Sequence, residues 1–170
     1  MSKSTPETIT IPLTKGYVAI VDLCDADLAT LKWTAQIGGM TAYAYRQIRK
    51  PDGKLGKEYL HRVILARILA RPLQHGEEVD HIDRDGLKNS RANLRLANRS
   101  TNTANTRPRR TNKSGYKGVS WDKRRMKWCA EVMQDYRRVY IGYFDDAKTA
   151  HDAYVEAAKR HFGEFAYDGK

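Results

Sequence analysis

Residues 78–105 read EVDHIDRDGLKNSRANLRLANRSTNTAN. An apolar approach ends in Asp80-His81, and a polar loop built on Asp83-Arg84-Asp85-Gly86 follows. Asn93 then introduces the short apolar run Leu94-Arg95-Leu96-Ala97. The stretch closes on a polar, helix-compatible piece holding Asn98, Asn102 and Asn105. Gly and Asp form turns, so the pattern predicts strand, loop, strand, helix. Hard oxygen donors and an imidazole crowd these short apolar pieces. A carboxylate and amide carbonyls suit Mg²⁺ or Mn²⁺, which keep waters and share their shell with substrate phosphate. A histidine with an ordinary pKa of about 6.5 is the usual base for activating water at neutral pH. Neighbours on a regular strand face opposite ways, so Asp80 and His81 can serve one phosphate only if the strand ends or twists there.

The spacing resembles the HNH nuclease motif, in which two strands and a helix (the ββα-metal fold) hold one divalent cation. The resemblance implies a role for each matching residue. Asp80 stands at the metal carboxylate and His81 at the general base. Asn93 stands at the middle asparagine, expected to orient that histidine. Asn102 stands at the last motif position, an asparagine metal ligand in the homing-endonuclease branch, with Asn105 and Asn89 as nearby alternatives. The implied cofactor is one divalent cation, Mg²⁺ or Mn²⁺. A lone Asp-His pair is ordinary solvated surface, and Asx residues after turns cap backbone groups. Four such residues at this spacing in a cationic chain favour chemistry.

The chain has 170 residues, with 31 Lys and Arg against 20 Asp and Glu, a net charge of +11. That length fits one ordinary domain or two small ones, and that charge points to a polyanion, above all nucleic acid. No long apolar run or basic amphipathic terminus supports a membrane partner, and residues 1–8 read as a frayed start without a secretory core. Only Cys24 and Cys129 are present, neither in a Cys-x-x-Cys pair. A reducing, cytoplasmic setting (the host cytoplasm for a phage-encoded chain) is expected, without structural zinc. No phosphate-cradling glycine loop occurs, so no small-molecule cofactor is expected.

Upstream, residues 1–57 read as β-rich, with strands over 9–11, 17–21, 33–37 and 42–48 and a turn at Pro51-Asp52-Gly53-Lys54. Asp25 reads as the cap of a short helix. Leu60, Val63, Ile64, Leu65, Ile68 and Leu69 have helical spacing, ended by Arg71-Pro72. The nuclease core is expected over 58–106. Residues 107–113 form a basic linker within TRPRRTNK, in which Arg107, Arg109 and Arg110 either follow phosphates or are plainly solvated.

Residues 114–170 form a second module. Strand-like runs at 116–121, 127–133 and 139–144 precede an Ala-rich helix over about 146–160, with Asp145 or Asp146 as cap. One sheet face stays open. Lys117, Trp121, Arg124, Arg125, Arg138, Tyr140 and Tyr143, or a subset, would line it, and such a ribbon can enter a major groove. Tyr116-Lys-Gly-Val119, Trp128-Cys-Ala-Glu-Val132, Ile141-Gly-Tyr-Phe144 and the Ala150–Ala158 helix are similar to the plant ethylene-response-factor (APETALA) DNA-binding domain. That resemblance places Lys117, Arg138 and Tyr140 at DNA contacts. Ser120 and Met133 replace base-reading arginines, which changes the expected target sequence. The expected fold class is therefore α+β: a β-rich N-terminal region, an HNH core, and a three-stranded antiparallel sheet on one helix. The expected function is metal-dependent hydrolysis of double-stranded DNA by a monomer or weak dimer. A non-catalytic DNA-binding regulator is the alternative.

Overall fold

Turn residues cut the first half of the chain into short strands that pair locally. The computed structural model describes residues 7–135 and 137–167; most of the frayed start expected at residues 1–8 and the last residues of the second module lie outside the described residues. β1 (Thr8–Pro12) and β2 (Val18–Asp22) pair antiparallel. β3 (Thr34–Gly38), β4 (Thr41–Arg49) and β5 (Leu55–Tyr59) form an antiparallel three-stranded sheet in chain order. Helix α1 (Leu60–Leu69) follows. It ends on Ala70 in the left-handed conformation, just before Arg71-Pro72, where proline bars continuation. β6 (Glu78–His81) and β7 (Leu94–Ala97) form a two-stranded sheet. One core gathers Ile11, Val21, Leu28, Trp33, Leu60, Ile64 and Leu65, and Val79 and Leu94 reach into it from β6 and β7.

The expected helix capped by Asp25 is instead a 3₁₀ segment over Leu23–Thr30, and Asp25 caps nothing. Its carboxylate is fully buried between Arg67 of α1, at 3.0 Å, and Arg91, at 2.8 Å. Burial pushes the Asp25 carboxyl up, but the two guanidiniums outweigh it and hold the group below its ordinary range. Side-chain pairing over long sequence separations thus replaced the local cap that the residue type suggested.

Helix α2 (Arg99–Asn105) opens with a capping box between Asn98 and Thr101. β8 (Val119–Asp122), β9 (Lys127–Gln134) and β10 (Arg137–Phe144) make an antiparallel meander. Helix α3 (Ala147–Phe162), capped by Asp146, packs on it. Ala130 and Ala150 pack with Val119, while Val132, Tyr154, Ala158 and Phe162 pack with Ala104 of α2. Gly118, at φ +72°, sits so close to Tyr154 that a Cβ there would fall inside the ring. The chain divides into two compact units, Met1–Leu96 and Ala97–Lys170. The division comes earlier than the basic stretch 107–113, because α2 packs on β9 and α3. The architecture is α+β, as expected.

Candidate active site and nucleic-acid interface

Within the first unit, β6 brings Asp80 and His81 to its C-terminal end, and both are buried. The strand stops at His81, whose carbonyl accepts from Arg84 N at 2.9 Å, closing a turn. The loop that follows is tied down on three sides. Ile20 of β2 donates to Leu87 O at 2.8 Å and accepts from Asn89 N at 2.7 Å. Gly86 N donates to Thr41 Oγ1 at 2.9 Å. A Cβ at Gly86 would strike the Ala42 carbonyl and the Tyr43 ring, so only glycine allows this approach. Asn93 supplies the third tie: its Oδ1 accepts from Asp83 N at 3.0 Å, and its Nδ2 donates to Asp83 Oδ1 at 2.9 Å and to Lys88 O at 2.7 Å.

This corrects the expected role of Asn93. Its amide is spent on the loop, and it makes no hydrogen bond to His81. The loop folds back over β7, so the asparagine that opens β7 meets Asp83 and Lys88 instead of the imidazole. The group beside His81 is Asn89, fully buried, with Oδ1 at 3.2 Å from Nε2. That contact also removes Asn89 from the candidate metal ligands. Burial lowers the pKa of His81, opposed by the Asn89 hydrogen bond and by the carboxylates of Asp83, Asp80 and Asp85. The imidazole is therefore biased toward its neutral, proton-accepting form.

Aromatic rings wall the base. Tyr43 lies 5.9 Å and His61 5.3 Å from the His81 ring centroid, and Tyr59 stacks on His61 at 5.4 Å. His61 Nδ1 is buried without a hydrogen-bond partner. Burial, with help from His81 and Arg62, lowers the His61 pKa to about 3. Asp80 Oδ2 accepts from both Arg95 Nε and Nη2 at 2.7 Å, so the guanidinium balances a buried charge. The sequence assigns no chemistry to Arg95 or His61, and it offers Asn89 only as an alternative metal ligand, not as a partner of His81. Arg95 carried one usable signal, a lone cation inside the apolar run 94–97.

The carboxylate of Asp80 and the amide carbonyl of Asn102 are each hard oxygens, of the kind that suits Mg²⁺ or Mn²⁺ better than softer-ligand metals. Among the described residues, no three His, Cys, Asp or Glu side chains are grouped to hold a metal. Asn102 sits on α2 in the second unit, partly exposed, and Asn105 on the same helix is buried.

In the second unit, register sorts the expected DNA contacts by face. Ser120 pairs with Cys129, Tyr140 with Glu131 and Arg138 with Met133, so these share the face away from α3. Ser120, Met133, Arg138 and Tyr140 are exposed there. Tyr143 joins them beyond a bulge after Tyr140; its hydroxyl donates to Asp122 at 3.1 Å, and Arg125 lies over its ring at 4.8 Å. Trp121 is on the opposite face, edge-on to Trp128, because alternation puts it with the core residue Val119. Lys117 also departs from expectation. Its ammonium donates to the carbonyls of Thr103 at 2.9 Å, Ala104 at 2.6 Å and Thr106 at 2.7 Å, at the C-terminal end of α2. The unpaired carbonyls of a helix end attract a cation, so Lys117 fastens α2 to the sheet. Arg107, Arg109, Arg110 and Arg124 are exposed.

Residues 58–104 match the family described as HNH endonuclease, and residues 114–164 match the AP2 domain. Over 61 residues the chain is 42% identical to Protein 3.8 of Escherichia phage T7, covering 36% of this chain and 50% of that protein. Over 116 residues it is 33% identical to an uncharacterized HNH endonuclease of Acanthamoeba polyphaga mimivirus, covering 68% of this chain and 59% of that protein. The chain thus spans little more than half the length of the curated relatives it matches. No solved structure matches it. Among the described residues, no helix is long and apolar enough to cross a membrane.

Proposed function

We propose that this chain, which carries an HNH endonuclease domain over residues 58–104 and an AP2 domain over 114–164, is a metal-dependent endonuclease that hydrolyses phosphodiester bonds in double-stranded DNA. The observation that carries the reading is the buried, aromatic-walled His81 beside the buried carboxylate of Asp80, at the point where β6 ends. His81 accepts the proton of the attacking water. A base kept neutral near physiological pH contributes typically about 10²–10⁴-fold to such a transfer. Asn93 holds the loop that shapes the site. Asp80 would supply a hard carboxylate oxygen to one Mg²⁺ or Mn²⁺, which when bound supplies Lewis-acid stabilisation of charge at the scissile phosphate and the leaving 3′ oxygen.

The AP2 domain supplies the grip on DNA. Arg138, Tyr140 and Ser120 form its contact face with Tyr143 and Arg125, and Arg107, Arg109, Arg110 and Arg124 add phosphate contacts. Trp121 supports this face from behind by packing on Trp128.

A supercoiled-plasmid assay with Mg²⁺, with Mn²⁺ and with excess chelator tests the proposal. Nicked or linear product in either metal, absent with chelator, is the expected result. Plasmid that shifts on a gel yet stays supercoiled in both metals overturns the nuclease reading in favour of a DNA-binding regulator.

A further inference from the structure

The basic stretch 107–112 lies between the two matched segments, 58–104 and 114–164, and by composition alone it reads as a linker. Within the second unit it is fastened at both ends. The Lys117 ammonium holds the Thr106 carbonyl at 2.7 Å on one side. On the other, Asn112 N donates to Arg109 O at 2.8 Å and closes a turn. The Asn112 carboxamide ties that turn to the start of the sheet: its Nδ2 donates to Tyr116 O at 2.7 Å, and its Oδ1 accepts from Ser114 N at 2.8 Å. Pro108 fixes one backbone angle between these anchors. The stretch is thus an arm of the second unit, with little backbone freedom left to lose on binding.

β8 is an edge strand that begins only at Val119, and the arm borders the sheet there. A hollow of about 510 Å³ remains between them. Arg109 and Asn112 border it from the arm, and Ser120, Glu131, Met133 and Arg138 from the face away from α3. Ser120 and Met133 are neutral, and Arg138 shares its charge with Glu131 at 3.5 Å. The guanidinium of Arg109, by contrast, has no hydrogen bond or ion pair among the described residues. It brings an unspent fork of donors to the face assigned above to DNA, and such a fork matches the O6 and N7 acceptors of guanine.

We propose that Arg109 is a specificity-determining residue of the DNA grip: held by the arm beside the sheet, it reads the edge of a guanine instead of serving phosphate alone. This rests on the reading that the second unit grips DNA and is independent of the nuclease chemistry. Target recognition then extends to a residue outside the segment that matches the AP2 domain.

Selection of bound duplexes from a randomised library tests this, with the full chain and excess chelator so that nothing is cut. Wild type should enrich a site containing a guanine whose replacement weakens binding roughly five- to hundredfold. Arg109→Ala should lose the preference at that one position and keep the others. Arg109→Lys, which keeps the charge but not the planar fork, should lose the same preference while retaining the wild-type salt slope. Arg110→Ala should do the reverse, keeping every preference and flattening the slope by about one. Wild-type thermal unfolding is expected of all three variants, since both side chains are exposed. Arg109→Ala or Arg109→Lys with every wild-type preference intact overturns the proposal, and so does a wild type that binds all duplexes alike. A wild type that shifts no duplex at all overturns the grip assigned to the second unit, and this proposal with it.

Discussion

At the scale of single residues, the site is a set of buried polar groups that need each other. Asp80 is 3% exposed, and Arg95 holds two donors on one of its oxygens. Removing one member of a buried ion pair strands the other, at a cost of about 3–5 kcal/mol. Arg95→Ala should therefore lower the urea midpoint of the first unit by an amount of that order. A change no larger than that of an exposed arginine, such as Arg49→Ala, would contradict the assignment. His61 makes a pH-dependent contribution. Its folded pKa is about 3, against 6.5 ordinarily. Between those values the unfolded chain binds a proton that the buried ring refuses, so stability falls as pH falls through the window. The slope is about 1.4 kcal/mol per pH unit. Lowering pH from about 7 to about 5 should cost the wild type about 2 kcal/mol more than His61→Phe in urea unfolding; equal losses would contradict the reading. These residues explain what could be read early. Asp80 and His81 declare themselves by type and spacing. Their partners do not, because an asparagine in a loop and an arginine in a strand have many bland uses. Only the fold brings Asn89 to the imidazole and turns Asn93 toward Asp83.

At the scale of elements, local pattern was a good guide wherever periodicity was strong. Helix α1 and its stop at Arg71-Pro72, the three-stranded meander and the small-residue helix α3 all follow from spacing and turn chemistry. The segment after β2 did not, since Asp25 is a fine cap by type but a better partner for two distant guanidiniums. That ion cluster joins the 3₁₀ segment, α1 and the turn at Arg91–Asn93. Asp25→Ala should destabilise the first unit by about 3–5 kcal/mol, seen as a loss of urea midpoint, whereas a helix-cap role would cost only about 1 kcal/mol. In the second unit, Gly118→Ala forces a Cβ into Tyr154 at a positive φ. Thermal unfolding of that unit should drop well below wild type, while Gly163→Ala, which meets nothing within 4 Å, should cost less. Equal effects would mean that the Gly118–Tyr154 approach is not what α3 packing depends on.

At the scale of the whole molecule, the chain has a net charge of +11, and the proposal gives the grip on DNA to the exposed cationic and aromatic sheet face of the second unit and the chemistry to the walled His81. DNA affinity should fall steeply with added salt, and Arg138→Ala should weaken it and, where Arg138 meets phosphate, flatten the salt slope by about one. The division of labour makes a sharp test possible. Single-turnover cleavage of supercoiled plasmid would be followed at saturating protein in Mg²⁺ for wild type, His81→Ala and Arg138→Ala. His81→Ala should bind as tightly as wild type and cut about 10²–10⁴-fold more slowly, and Arg138→Ala should need more protein yet reach the wild-type rate. A His81→Ala protein that cuts at the wild-type rate under the same metal conditions would contradict the assignment of chemistry to this site.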